Sequence, residues 1–390
     1  MRVALVNTWY AATEPGAQIS ADPLRRELAH GLAARGYEVE VIQELPQAAT
    51  VRDGPVKWTF VPPAMATKLV RRALTLSGRD DAMVKVPSPH LAAAVNATGA
   101  DIVHSFDLAA YPLLAELGRD SRRRGAALVA HFHGGAPARV GALRQLERAA
   151  FANVDRFFFT TRFHAAPWLM SNALVDESRI VEVFETSSTF RPGHRAAARR
   201  STGLRGEPAL LHLGRLDTVK DPLTTVAGFR AALPRRPKAH LTFAWTEAPL
   251  LDAVKKAAEG LPVTFLGRVA NERVEELLVG ADGFVQASVR EVCGRAVLEA
   301  FACGTPCVLS DIPSFRRITD GGRVGALFPV GRDDALADAL VALDFAATRA
   351  PTRARFDAAL SFDRLADDVA GVYQSLFPAG RDGLRRQARG

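Results

Sequence analysis

Short apolar runs alternate with longer amphipathic ones along the whole chain, and this alternation restricts the fold more than any other feature of the sequence. Such runs are satisfied as buried strands, with the stretches between them forming helices that cover a parallel sheet, the arrangement of α/β domains. The first unit reads as a strand over Val3 to Asn7, a loop through Gly16, a helix over Pro23 to Arg35, Gly36, and a strand over Val39 to Ile42. Further strands are expected at Asp101 to Ser105, Ala127 to Phe132, Arg156 to Thr160 and Ile180 to Phe184. A second series starts at Ala209 and continues through Leu241 to Ala244, Val263 to Leu266, Gly283 to Gln286 and Pro306 to Leu309. Between the series, Ser187 to Gly206 is rich in Ser, Arg and Gly with little periodicity and reads as a linker. Phe362 to Phe377 is an amphipathic helix, and the tail from Pro378 to Gly390 reads as frayed.

At 390 residues the chain exceeds one compact core, so two domains are expected: 1–186, a linker over 187–206, 207–360, and a terminal helix over 361–377. Apolar content of 48% with 24% charged is ordinary for a globular protein, and no apolar stretch reaches the roughly 20 residues of a membrane span. The start, Met1 to Asn7, is a short strand without the long apolar segment of a signal peptide, so a cytoplasmic location is expected. Cys293, Cys303 and Cys307 lie together without metal-ligand partners, which favours reduced core thiols over a disulfide or zinc site. The net charge of +8 is scattered over alanine-rich helices with no aromatic interleaving, which argues against nucleic acid and for phosphorylated donors or anionic lipid. Lys57 to Leu74 mixes basic and bulky apolar residues and has two readings, a membrane-surface element at an anionic inner membrane face or an irregular packing segment.

Two runs carry chemistry. Glu291-Val292-Cys293-Gly294-Arg295 leads into an apolar helix that holds Glu299, with a Gly-Thr-Pro stop behind it. Gly294 lets the backbone approach a ligand at the helix start, and Glu299 lies about 7 Å along the axis. An anion can rest on the free N–H groups and positive dipole end there, with each carboxylate reaching hydroxyls on one side. An ordinary amphipathic helix with a capping glutamate is the plain alternative. Upstream, Leu210 to Leu213 reads as a strand, Gly214 and Arg215 as its turn, and Lys220 as a loop cation before a helix that Pro222 opens. A guanidinium fork and an ammonium suit a diphosphate.

Together the runs Gly214-Arg215-Leu216 to Lys220 and Glu291 to Glu299 resemble the donor-site motifs of the retaining, nucleotide-sugar-dependent glycosyltransferases of family 4. That resemblance covers the second half well and the first loosely. It implies the GT-B fold, two Rossmann-like α/β domains with parallel sheets facing across a cleft and a terminal helix crossing back to the first domain. It implies that Arg215 and Lys220 hold the diphosphate of a UDP- or GDP-linked sugar, Glu291 its sugar hydroxyls and Glu299 its ribose. Gly16, Gly214, Gly267, Val292, Cys293, Gly294 and Arg295 join them as donor contacts. His133, just beyond a strand's carboxyl end, matches the family's histidine at the donor sugar, whereas His131 reads as structural. His104 and Asp107 fit either acceptor contact or packing and capping. Two departures stand out: Gly16-Ala17 replaces a Gly-Gly pair, and Glu185-Thr186-Ser187-Ser188 replaces an Asn-Gly-Val-Asp-like loop, leaving Glu185 and Thr186 as specificity or loop-capping residues.

The resemblance implies a glycosyltransferase in which His133, Glu291, Arg215 and Lys220 serve the chemistry, with no cofactor and no metal. Breaking the anomeric bond leaves negative charge on the departing phosphate, and two cations and a helix start can stabilise it. Retention would follow from same-face attack on the anomeric carbon by an acceptor hydroxyl. A glycoside hydrolase using Glu291 and Glu299 leaves Arg215 and Lys220 unexplained. A non-catalytic nucleotide-sugar-binding protein is the other alternative, supported by the two departures.

Overall fold

The computed structural model describes residues 1–9, 13–78, 86–138 and 141–377. The chain forms two compact units, one from Met1 to Glu185 joined by the chain from Leu365 onward, the other from Thr186 to Arg364.

The first unit holds β1 (Arg2–Asn7), β2 (Glu38–Glu44), β3 (Ala49–Asp53), β4 (Val56–Val61), β5 (Ile102–Ser105), β6 (Ala127–His131), β7 (Arg156–Phe159) and β8 (Ile180–Glu182). Their order is β3-β4-β2-β1-β5-β6-β7-β8, with every pairing parallel except β3 against β4. Helices α1 (Pro15–Ala21), α2 (Pro23–Ala34), α3 (Met65–Leu76), α4 (Pro89–Ala97), α5 (Tyr111–Arg124), α6 (Gly141–Phe151) and α7 (Arg162–Met170) connect them. Local chemistry sets their ends. Asp22 caps α2 by accepting from the Arg25 backbone at 3.3 Å, and Gly125, at φ 66°, closes α5 behind three basic residues in its last turn.

The second unit holds β9 (Ala209–Leu213), β10 (His240–Ala244), β11 (Val263–Gly267), β12 (Gly283–Gln286), β13 (Cys307–Ser310) and β14 (Ala326–Phe328), ordered β11-β10-β9-β12-β13-β14 and all parallel. Its helices are α8 (Arg195–Thr202), α9 (Pro222–Ala232), α10 (Leu251–Ala257), α11 (Asn271–Gly280), α12 (Arg295–Ala302), α13 (Pro313–Ile318), α14 (Asp333–Ala342) and α15 (Phe345–Ala359). Leu210, Leu241, Phe243, Val285 and Val308 form the core together with Val226, Phe229 and Leu336 of the covering helices.

The last helix, α16 (Phe362–Leu376), buries Leu365, Ala366, Val369, Ala370 and Tyr373 in the first unit. Arg35 Nε donates to Asp367 at 2.8 Å, and the Tyr37 hydroxyl donates to the Ala370 carbonyl at 3.3 Å. Gly31 permits the close contact of α2 with α16, since a Cβ there would stand 2.7 Å from that of Ala366.

Three local expectations need correction. Gly16 is not in a loop but in the first turn of α1, opened by Pro15 at a favoured helix start. The 187–206 stretch contains α8, whose alanine-rich run Arg195-Ala-Ala-Ala-Arg is a strong helix former, started by His194 and ended by Gly203 at φ 71°. Lys57 to Leu74 is neither one surface element nor irregular. Its first half is β4, with Trp58 and Phe60 buried and Lys57 paired to Glu40 at 3.0 Å, and its second half is α3. The tail from Pro378 lies outside the described residues.

Candidate active site

In the second unit the chain moves from β9 outward through β10 and β11, and β12 then returns to the other side of β9 and leads to β13 and β14. Crossovers therefore leave β9 and β12 in opposite directions, and open sheets place ligands beyond the carboxyl ends of strands at such a reversal. Gly214 follows β9 and Gln286 ends β12. A Cβ on Gly214, at φ 140°, would lie 3.5 Å from Lys220 Cε and 3.9 Å from Gln286 Nε2. The Gly214, Lys220 and Glu291 runs meet here.

Lys220 Nζ forms an ion pair with Glu291 Oε1, both side chains mostly buried. Ser288 donates its hydroxyl to the same carboxylate oxygen at 2.8 Å, with Gln286 Nε2 at 3.4 Å. Glu291 is thus held by three groups from the loop after β9, the end of β12 and the loop behind it. Asp217 orders the Lys220 loop by accepting from the backbone of Val219 at 3.0 Å and of Lys220 at 2.9 Å, and it pairs with half-exposed Arg215 at 3.0 Å. Asp221 then caps α9, accepting from Thr224 N at 3.2 Å and from its hydroxyl at 2.6 Å.

Gly294 begins α12 with φ 78°, and any Cβ there would stand 2.5 Å from Phe315 Cε1. No side chain caps this helix, so its first N–H groups point out beside Glu291. Val292 and buried Cys293 bridge the carboxylate turn to Gly294, and the Ser314 hydroxyl donates to the Glu291 carbonyl at 3.1 Å. Glu299 lies on the first two turns of α12 and pairs with exposed Arg295 at 3.0 Å. Burial raises the Glu299 carboxyl above the usual range, and Arg295 works against that shift. Gly267 ends β11 at φ 80° with no neighbour near its Cβ position. The Cys303 and Cys307 thiols are buried, and desolvation pushes both upward, which disfavours the thiolate.

In the first unit, His133 follows β6, with its Nδ1 3.9 Å from Glu185 Oε2. Its ring leans on His131 at 4.7 Å and Phe106 at 5.5 Å, and burial, reinforced by His131 and Arg25, holds it well below the usual imidazole range. The neutral ring can donate to a hydroxyl, and its buried Nε2 has no hydrogen-bond partner. His104 is wholly buried, its Nδ1 2.7 Å from the Tyr373 hydroxyl on α16, which fits packing, and Asp107 accepts from the Ala109 backbone at 2.7 Å in a local turn. His131 is fully buried in the same stack of rings. A Cβ on Gly16 would meet nothing within 4 Å. Thr186 turns its hydroxyl to the Ser187 carbonyl at 3.3 Å.

Sequence reasoning passed over Asp217, Gln286 and Ser288. The signal for Asp217 was present, since an aspartate followed by a two-residue loop is Asx-turn chemistry. For Gln286 and Ser288 the sequence held no signal, because their role depends on β12 lying beside β9.

Residues 207–343 match a family model described as glycosyl transferases group 1, and residues 24–183 match one described as a glycosyl transferase 4-like domain. A phosphatidyl-myo-inositol mannosyltransferase of Mycobacterium leprae is 34% identical over 127 residues, 30% of this chain and 33% of that protein. The chain therefore spans about a third of that relative's length. A D-inositol 3-phosphate glycosyltransferase of Acidothermus cellulolyticus is 27% identical over 333 residues, 77% of this chain and 72% of that protein. Among solved structures, sucrose-phosphate synthase from Thermosynechococcus elongatus covers 96% of this chain and 99% of its own with a TM-score of 0.68 at 21% identity. Anabaena HepE, in complex with UDP and glucose, covers 96% and 100% with a TM-score of 0.61 at 16% identity. These two likenesses are of fold.

Proposed function

Because this chain belongs to the group 1 glycosyltransferases of family 4 type, with the GT-B fold, we propose that it transfers a sugar, with retention, from a nucleoside diphosphate sugar to an acceptor hydroxyl. One observation carries the donor reading: the Lys220–Glu291 pair sits at the β9/β12 reversal, beside the uncapped start of α12. On this reading the diphosphate takes Lys220 from Glu291 and occupies the α12 start, with Arg215 swinging from Asp217 to join it. Released from its cation, Glu291 accepts from the sugar hydroxyls, while Glu299 accepts from the ribose. HepE's complex with UDP and glucose supports a nucleotide-sugar donor of this kind.

Charge building on the departing phosphate meets two cations and a helix dipole, so the chemical step is proposed to need no metal. His133, neutral and with a free ring nitrogen, is proposed to donate to a donor-sugar hydroxyl. A lipid-linked or polymeric acceptor at an anionic inner membrane face is favoured over a small diffusible one by the exposed basic and apolar residues of α3.

A screen of UDP- and GDP-linked sugars by thermal shift, followed by a donor-cleavage assay with and without acceptors, tests the reading. A bound donor stabilises the fold by mass action. The expected result is stabilisation by one donor and acceptor-dependent cleavage that persists in a chelator. Binding without cleavage would leave a nucleotide-sugar-binding protein, and loss of activity to a chelator, restored by magnesium or manganese, would overturn metal independence.

A further inference from the structure

At the amino-terminal ends of β9 and β12, the edge of the sheet away from the Lys220–Glu291 pair, a cavity of about 570 Å³ opens between α8 and the start of α15. Four guanidiniums line it, from Arg195, Arg199, Arg236 and Arg349. Three carboxylates share the lining, one fewer than the guanidiniums. Glu207 stands 3.7 Å from Lys238, and Asp344 caps α15 by accepting from Ala347 N at 3.0 Å. Asp282 pairs with two of the guanidiniums: it forms an ion pair with Arg195, lies 3.3 Å from Arg199, and also accepts from Ala209 N at 2.7 Å.

The other two arginines rest on neutral acceptors. Arg349 Nη1 donates to the Ala281 carbonyl at 2.8 Å and Arg236 Nη2 to the Val341 carbonyl at 2.7 Å, which satisfies donors without compensating charge. Arg195 Nε is buried with no hydrogen-bond partner. Burial holds Arg195 and Arg349 below the usual guanidinium range, and a neighbouring guanidinium pushes each the same way, Arg199 on Arg195 and Arg195 on Arg349. Arginines serving only to tie down backbone carbonyls would pack closed and leave no cavity of this size between them. An excess of one guanidinium over the carboxylates, with Arg236 and Arg349 in no ion pair among the described residues, around a cavity of small-molecule size is chemistry that can receive a phosphate group.

We propose that this cavity is a second anion site, separate from the donor region, that takes a soluble phosphate-bearing small molecule. Its walls come from α8, the first helix after the chain enters this unit, and α15, the last helix wholly within it. A ligand bridging them therefore ties together the two ends of the unit's chain.

The test uses the full chain carrying Arg215→Ala and Lys220→Ala, so that the probe, inorganic pyrophosphate, has no competing cations beyond β9. Melting temperature is followed against pyrophosphate concentration, and affinity by calorimetry. The expected result is a concentration-dependent stabilisation, with affinity falling about tenfold in added Arg195→Gln and largely kept in Arg195→Lys. Should Arg195→Gln fail to fold, Arg236→Gln, whose guanidinium bonds Val341 and not Asp282, is expected to weaken binding in its place. No stabilisation by pyrophosphate, equal affinity in the glutamine variants, or binding only to phosphate-headgroup vesicles would each overturn the proposal. The readout is binding and not turnover, so it does not depend on the donor-site reading.

Discussion

Glu291 and Lys220 neutralise each other, so each substitution acts on two partners. Removing the charge of Arg215 or Lys220 is expected to weaken nucleoside diphosphate binding by roughly 1 to 3 kcal/mol each, the range for charge-assisted hydrogen bonds. Calorimetry returning wild-type affinity in both variants would remove them from the site. Lys220→Met also leaves Glu291 mostly buried without its cation, a destabilising change, and Lys220→Met with Glu291→Gln should recover stability without recovering binding. The carboxylates divide by partner: Glu299→Ala is expected to weaken free nucleoside diphosphate, whereas Glu291→Ala lowers kcat with free nucleotide affinity nearly unchanged. The opposite split in steady-state kinetics and calorimetry would reverse their roles. Gly294→Ala must displace Phe315 and adopt a left-handed backbone, at a cost of order 1 to 3 kcal/mol, read as a fall in melting temperature. The charged members of this group could be picked out because their spacing resembles the donor motif of family 4 glycosyltransferases. Their pairing was not, since Lys220 meets Glu291 only after two strands distant in sequence become neighbours.

Elements were legible where apolar runs were long and turn residues clear, as for β1, β6, β9, β10 and α16. The β3–β4 hairpin was missed although Asp53-Gly54 between alternating residues is a hairpin signal, because Lys57 and the basic residues of α3 give the stretch a charge pattern that masks its period. Helix α8 was missed because its alanines lie among serines and glycines that read as loop, and β14 because three residues carry no period. Helix α3 departs most from its neighbours. Among its residues only Thr67 is buried, while Met65, Leu69, Val70 and Leu76 are exposed next to Lys68 and Arg72. Arg71 fixes it to buried Glu44 at 2.6 Å. If this face meets anionic lipid, the protein should co-sediment with anionic vesicles at low salt and be released as salt rises, attraction being screened over about 10 Å at 0.1 M. Leu69→Ser with Met65→Ser should abolish the association and leave the fold intact. No vesicle binding by the unaltered chain at low salt would turn the acceptor question toward soluble sugars.

Across the whole molecule the buried histidines are unequally shared. His104 and His131 stack in the first unit with His133 tilted against them, whereas the second has buried His212 and half-buried His240. Burial holds His131 and His212 down to about 3. An unfolded histidine takes its proton near 6.5, so the unfolded chain binds more protons between about pH 3 and 6.5. The stabilisation is therefore full above pH about 6.5 and declines as pH falls, by up to about 1.4 kcal/mol per pH unit for each such group. Melting curves from pH 8 to 4 should show the first unit failing at the higher pH, and His131→Phe should flatten its pH dependence alone. Equal acid sensitivity of the two transitions would contradict this. The return of α16 also sets an order of events during synthesis. A ribosome releases the strands of the first unit long before the helix that covers Tyr37 and His104, with the whole second unit made in between. At 5 to 20 residues per second that interval is of order ten seconds or more. Until then the apolar seam that α16 covers stays open, so a chain stopped before Leu365 is expected to be less soluble than the full chain.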